Sequence, residues 1–194
     1  MEAKHKLGTL FVGLLMLASA VGCGGLAAPS STPVAPQTSA TISRYGAPVV
    51  IGPRDLESRG GSPCNALLTK DQLRRLGLQP ESAREVPLAD SVECSWQGLD
   101  FSLSLGAETR RDLLVDTYRT HLFGVFEPTT ISGLPAVRQK TSPQVNICTV
   151  TTGVAEHQAL EVTWFGRATA GRADDSCGLA TRVTEVVIGG LPRR

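Results

Sequence analysis

What this sequence lacks narrows its function more than what it displays. It has no excess of one charge: 19 Lys+Arg face 18 Asp+Glu, for a net charge of +1. Nucleic-acid binding rests on neutralising phosphates, and this balance gives it no footing. The arginine doublets at residues 74–75, 110–111 and 193–194 lie far apart and read as solvated faces rather than one phosphate-binding patch. Histidine is scarce, at three residues, of which only His121 and His157 lie beyond the first few positions. The cysteines lack the Cys-x-x-Cys spacing of a zinc site, so no metal ligand set is assigned. No Gly-x-Ser-x-Gly motif is present to place a serine nucleophile. Arg59-Gly60-Gly61 lacks the lysine and the preceding strand of a phosphate loop, so no cofactor is expected. The longest apolar run, Leu7–Ala20, spans about 14 residues, short of the ~20 a membrane-crossing helix needs.

What is there begins with an odd number of cysteines, five. Lys4 and Lys6 precede the apolar run and small residues follow it, the arrangement of an export signal. Ala20-Val21-Gly22-Cys23 resembles the lipobox of bacterial lipoproteins. The resemblance implies cleavage between Gly22 and Cys23, with acyl chains added to the Cys23 thiol. Two or more chains are needed for stable anchoring, because a single one binds only marginally. On this reading residues 1–22 are a signal peptide. Loss of Lys4, Lys6 and Glu2 with it leaves the mature chain near neutral. Setting Cys23 aside also leaves an even set, Cys64, Cys94, Cys148 and Cys177, as disulfides in an oxidising compartment require.

Residues 23–46 are rich in Gly, Ala, Pro, Ser and Thr and read as a flexible tether. Its r.m.s. span is on the order of 25–30 Å. The domain is then expected over residues 47–194. A turn at residues 64–68 precedes a helix that opens on a capping box, Thr69 with Gln72, buries Leu73 and Leu76, and closes on a left-handed Gly77. "VECSWQGLDFSLSL" reads as a hairpin turning at Gly98, with Leu99, Phe101, Leu103 and Leu105 in strict alternation. A second helix carries Leu114, Tyr118 and Leu122 on one face. "LPAVRQK", "VNICTVTTGVA" and "ALEVTWFG" read as strands. The last helix is capped by Asp174 or Asp175, buries Cys177, Ala180, Val183 and Val187, and stops at Gly189, Gly190 and Pro192. This order predicts an α+β fold: an antiparallel sheet with helices packed on it.

Four cysteines allow three connectivities. Cys64–Cys94 with Cys148–Cys177 is favoured, because each pair joins a helix-opening cysteine to one in a nearby strand. Cys94–Cys148 with Cys64–Cys177 remains the competitor and requires those two strands to be neighbours.

"PCNALLTKDQLRRLGL", "CSWQGLDFSLSL", "ISGLPAV", "ICTVTT" and "DDSCGLATRVTEVVIGGLP", in that order, resemble a family of actinobacterial lipoproteins whose domain has no assigned function. The domain is also similar, more distantly, to extracellular sensor domains of actinobacterial receptor kinases, which carry two disulfides on an α+β sheet. The resemblance implies a fold and a location on the outer face of the cell membrane, and it brings no catalytic residues. His121 and His157 are the available general bases, but neither has a defined nucleophile or orienting acid in the sequence. The expectation is a non-catalytic, membrane-anchored module that binds an envelope ligand or a protein partner. The alternatives are a small envelope hydrolase or transferase, and a lipid carrier with an apolar cavity.

Overall fold

The computed structural model describes residues 43–88, 91–166 and 175–194. Cys23, Gly22 and the leader lie outside these residues, as does Asp174. Seven strands form one sheet: β1 (Arg84–Pro87), β2 (Val92–Gln97), β3 (Phe101–Glu108), β4 (Val125–Ile131), β5 (Leu134–Lys140), β6 (Ile147–Ala155) and β7 (Gln158–Gly166). They are antiparallel throughout, in the order β1-β2-β3-β7-β6-β5-β4. The helices are α1 (Pro63–Ala66), α2 (Lys70–Arg75), α3 (Leu113–Thr120) and α4 (Ser176–Gly190).

Strand alternation sorts the side chains onto two faces. Trp96, Leu103, Trp164 and Cys148 form one row across four strands, and Cys94, Leu105, Val162 and Val150 form the next. All eight are buried. Helix α4 packs over β6 and β7 on this face and fills the core with Ala180, Val183, Val187 and Ile188. Each such Leu, Val or Ile contributes roughly 1.5–3 kcal/mol of burial. At the far end of the row Phe101 stacks on Trp164, ring centroids 4.0 Å apart.

Helix α3 sits on the opposite face. Leu114 seats against Gly153 of β6, where a Cβ would lie 2.9 Å from the Leu114 side chain. Tyr118, Val137 and Ala47 complete this smaller core. The capping box of α2 is formed as expected, with Thr69 and Gln72 bonding each other's backbone N–H, and Gly77 is left-handed at φ 76°. Asp175 caps α4 by accepting from the Gly178 N–H.

Both favoured disulfides are present, Cys64–Cys94 with Cα atoms 5.0 Å apart and Cys148–Cys177 with 5.1 Å. Each ties the first turn of a helix to a strand of the main core face, α1 to β2 and α4 to β6. The competing pairing fails on geometry, since β3 and β7 stand between β2 and β6.

Several boundaries differ from the sequence reading. Leu99 is 81% exposed because it stands at the tip of the β2–β3 turn, one pair outside the alternation. Leu122 is 76% exposed because α3 ends at Thr120 and His121 takes the left-handed capping position. Cys177 is only partly buried. Gly189 and Gly190 do not stop α4 but form its last turn; the chain leaves the helix at Leu191, whose extended ψ of 137° is what a residue before proline prefers. Arg44, in the stretch read as tether, belongs to the fold: its guanidinium bonds Asp112 at 2.9 Å and the carbonyls of Ala47 and Pro48.

Candidate functional site

One face of an antiparallel sheet is ordinarily polar and wet. Here that face is unusual in carrying carboxylates low in a cleft beside α3. Glu93 on β2 and Glu161 on β7 both pair with Gly106 on β3, one from each side. Gly106 has no side chain to separate them, and the Glu93 stem folds over it, 3.2 Å from where a Cβ would stand. Ser104 donates a hydrogen bond to Glu93. The Thr151 hydroxyl donates to Glu161 Oε2 at 3.2 Å. Two residues along each strand, on the same face, Thr149 and Thr163 share a hydrogen bond of 3.0 Å.

Two further groups close the end of the cleft. Glu108 accepts from the Arg110 N–H at 2.8 Å and from Arg111 Nε at 3.0 Å. Leu113 and Arg111 line two adjoining depressions with Glu161; one also takes in Glu93 and Glu108, the other Asp116, Arg119 and Gln139. The first holds only about 40 Å³ and the second, which is open to solvent, about 240 Å³.

The carboxyls are tuned apart. Burial pushes the Glu161 carboxyl above the usual range and the neighbouring Glu93 charge adds to the shift; the Thr151 hydrogen bond and Arg111 oppose it. Burial also pushes Glu108 up, but the Arg110 N–H and the Arg111 guanidinium outweigh it and hold that carboxyl below its ordinary value. A perturbed carboxyl in a cleft is a recognised mark of a functional site. These groups can accept and donate hydrogen bonds to a polar ligand. Ser104 adds a hydroxyl already hydrogen-bonded to Glu93.

The residues singled out from sequence do not converge here. His121 caps α3 with its ring 3.9 Å from that of Phe126. His157 stands exposed in the β6–β7 turn, its Nε2 3.7 Å from Glu156. Among the described residues, neither is hydrogen-bonded to a serine and neither lines the acidic cleft. Arg59 reaches across to the Gly190 carbonyl rather than forming a phosphate loop with Gly60 and Gly61. Among the described residues no group of three or more His, Cys, Asp or Glu is placed to hold a metal ion. Glu93 and Glu161 were missed because each reads as an ordinary outward residue of its strand. The available signal was a carboxylate set within an apolar run, as in "ALEVTW".

Fold and cleft together define a small α+β domain, stapled by two disulfides, with paired carboxyls on its second face. The chain belongs to the family described as Protein of unknown function (DUF3558), whose model matches residues 18–189. None of the curated proteins and none of the solved structures matches it significantly.

Proposed function

We propose that this protein is a lipoprotein of the bacterial cell envelope, of the actinobacterial kind its sequence resembles. Acyl chains on Cys23 hold it to the outer face of the cytoplasmic membrane. Its domain is a non-catalytic module that binds a polar ligand or partner in the cleft between α3 and the sheet. The observation that carries the binding reading is the pair of carboxyls, Glu93 and Glu161, set on either side of Gly106, with burial holding the Glu161 carboxyl above the usual range. The lipobox-like sequence supports the anchor, and the family match reaches back to residue 18 and so takes in Cys23.

The alternatives draw less support. For a hydrolase built on His121 or His157, the contacts made among the described residues are a Phe126 ring and the Glu156 carboxylate rather than a nucleophile. A lipid carrier needs a deep apolar cavity between sheet and helices. The depression beside α1, lined by Leu56, Pro63, Leu67, Val92 and Ala107, holds about 340 Å³. That is the lower end of the range for ligand cavities.

Crosslinking in intact cells tests the binding reading. A photoreactive residue at Ser95, on the cleft face, captures the ligand, whereas one at Arg182 on α4 does not. Equal capture from both positions would remove the cleft from consideration. Mass analysis of the mature N-terminal peptide tests the anchor, with acylation expected in the wild type and lost in Cys23→Ala.

A further inference from the structure

The segment that enters the domain alternates pinned residues with exposed apolar ones. Arg44 is fixed to Asp112, Ala47 is buried, Val50 packs near Gly153, and the Arg54 N–H bonds the Val154 carbonyl at 2.7 Å. Between these anchors Tyr45 is 54% exposed, Val49 68% and Ile51 82%. Apolar side chains scattered singly over a surface need no explanation. Three within seven residues, on backbone held at four points, are presented rather than frayed.

Beside them Arg54 pairs directly across a β-bridge with Arg193. Like charges opposite one another in a bridge repel. Neither arginine has a carboxylate partner among the described residues, whereas the neighbouring Arg44 and Arg194 do. The opposing charges nearby are Glu156 and Asp112, which share a depression of about 410 Å³ with Val49, Pro53 and Arg44, and Asp55 and Glu57, both paired with Arg194.

We infer that this end of the domain, Tyr45, Val49 and Ile51 with Arg54 and Arg193, docks on a bilayer surface bearing anionic headgroups. The inference rests on the Cys23 anchor proposed above, and chain length connects the two. Residues 24–42 lie between the acylated cysteine and the first described residue, Ser43. At about 3.5 Å per residue they carry the domain no farther than roughly 70 Å from the bilayer. Because the tether joins at Ser43, the exposed apolar residues are the nearest part of the domain along the chain. Tethering supplies a high effective concentration, so a weak intrinsic affinity suffices. Tyrosine suits the headgroup level, and arginines add attraction to an anionic leaflet.

The test uses the mature chain with Cys23→Ala, which carries no acyl group, sedimented with vesicles. Wild-type residues elsewhere should partition onto phosphatidylglycerol–phosphatidylethanolamine vesicles and only weakly onto phosphatidylcholine. Arg54→Gln with Arg193→Gln should lower partitioning about thirty-fold, and Ile51→Asp at least five-fold. Ile51→Asp should melt as the parent does and the double arginine variant no lower than it, since these side chains are outside the core and the Arg54–Arg193 pair is repulsive. No partitioning at millimolar anionic lipid, or partitioning unchanged by either variant, would overturn the inference. Acylation is read separately on the cellular protein: an unacylated Cys23 with intact vesicle binding removes the anchor alone.

Discussion

Removing the Cys148–Cys177 bridge offers the sharpest test of how the layers are held. The bridge closes a loop of 29 residues. Chain entropy then assigns about 3.6 kcal/mol to its effect on the unfolded state. The double variant Cys148→Ala with Cys177→Ala should lose that amount in urea unfolding. For a domain of about 150 residues this lowers Tm by roughly 7–14 °C. The Cys64–Cys94 bridge closes 30 residues, so the same arithmetic gives the same 3.6 kcal/mol. The consequences should nevertheless differ in kind. Helix α4 is a 15-residue element with Val183, Val187 and Ile188 fully buried, so it stays docked and the transition stays cooperative. Helices α1 and α2 have four and six residues, far below the length at which an isolated helix persists. Loss of Cys64–Cys94 should therefore release residues 57–75 locally before the sheet melts. Amide exchange by mass spectrometry separates the two cases. A loss below about 1 kcal/mol for the Cys148/Cys177 variant, or equal exchange patterns for both, would refute the reasoning.

Glu161→Gln should raise stability at neutral pH. The Glu161 carboxyl has its folded pKa above the ordinary 4.5, so the folded state holds the proton more tightly, and its contribution falls as pH rises from the unfolded value through the folded one. Glutamine still accepts from Thr151, and the advantage of the variant should vanish at acid pH; urea titrations across the range check it. Asp112→Ala should cost about 1–2 kcal/mol, because Asp112 caps α3 at the Val115 N–H and also holds Arg44. Asp112→Asn keeps the cap and can still accept from Arg44 across this half-buried contact, so it should recover most of the loss in the same assay.

The central elements were legible in the sequence because pattern and propensity agreed there. Leu103 and Leu105 alternate in β3, Thr69 and Gln72 announce α2, and "ICTVTT" is β-branched on both faces. The edges were not. Strand β1 is exposed at all four positions, and β4 carries Pro128 at its middle with mostly polar neighbours. Proline is tolerated on an edge strand, where one backbone side needs no partner, but in a sequence it argues against a strand. The cleft was less legible still. Glu93 and Glu161 are distant in sequence and meet only because β3 pairs with both β2 and β7, placing Gly106 between them. No local pattern carries that adjacency.

The strand order also bears on how the chain can be assembled. β1 to β3 form one consecutive meander and β4 to β7 another, and the two join only where β3 meets β7. Neither disulfide crosses that seam: Cys64–Cys94 lies wholly on the N-terminal side, Cys148–Cys177 on the C-terminal side. Along the domain the first cysteine pairs with the second and the third with the fourth. A chain emerging N-terminus first therefore meets each partner in turn and completes one bridge before the next pair appears. Simple sequential oxidation gives the native pairing without reshuffling, and the zipping of β3 onto β7 is left as the long-range step that commits the fold.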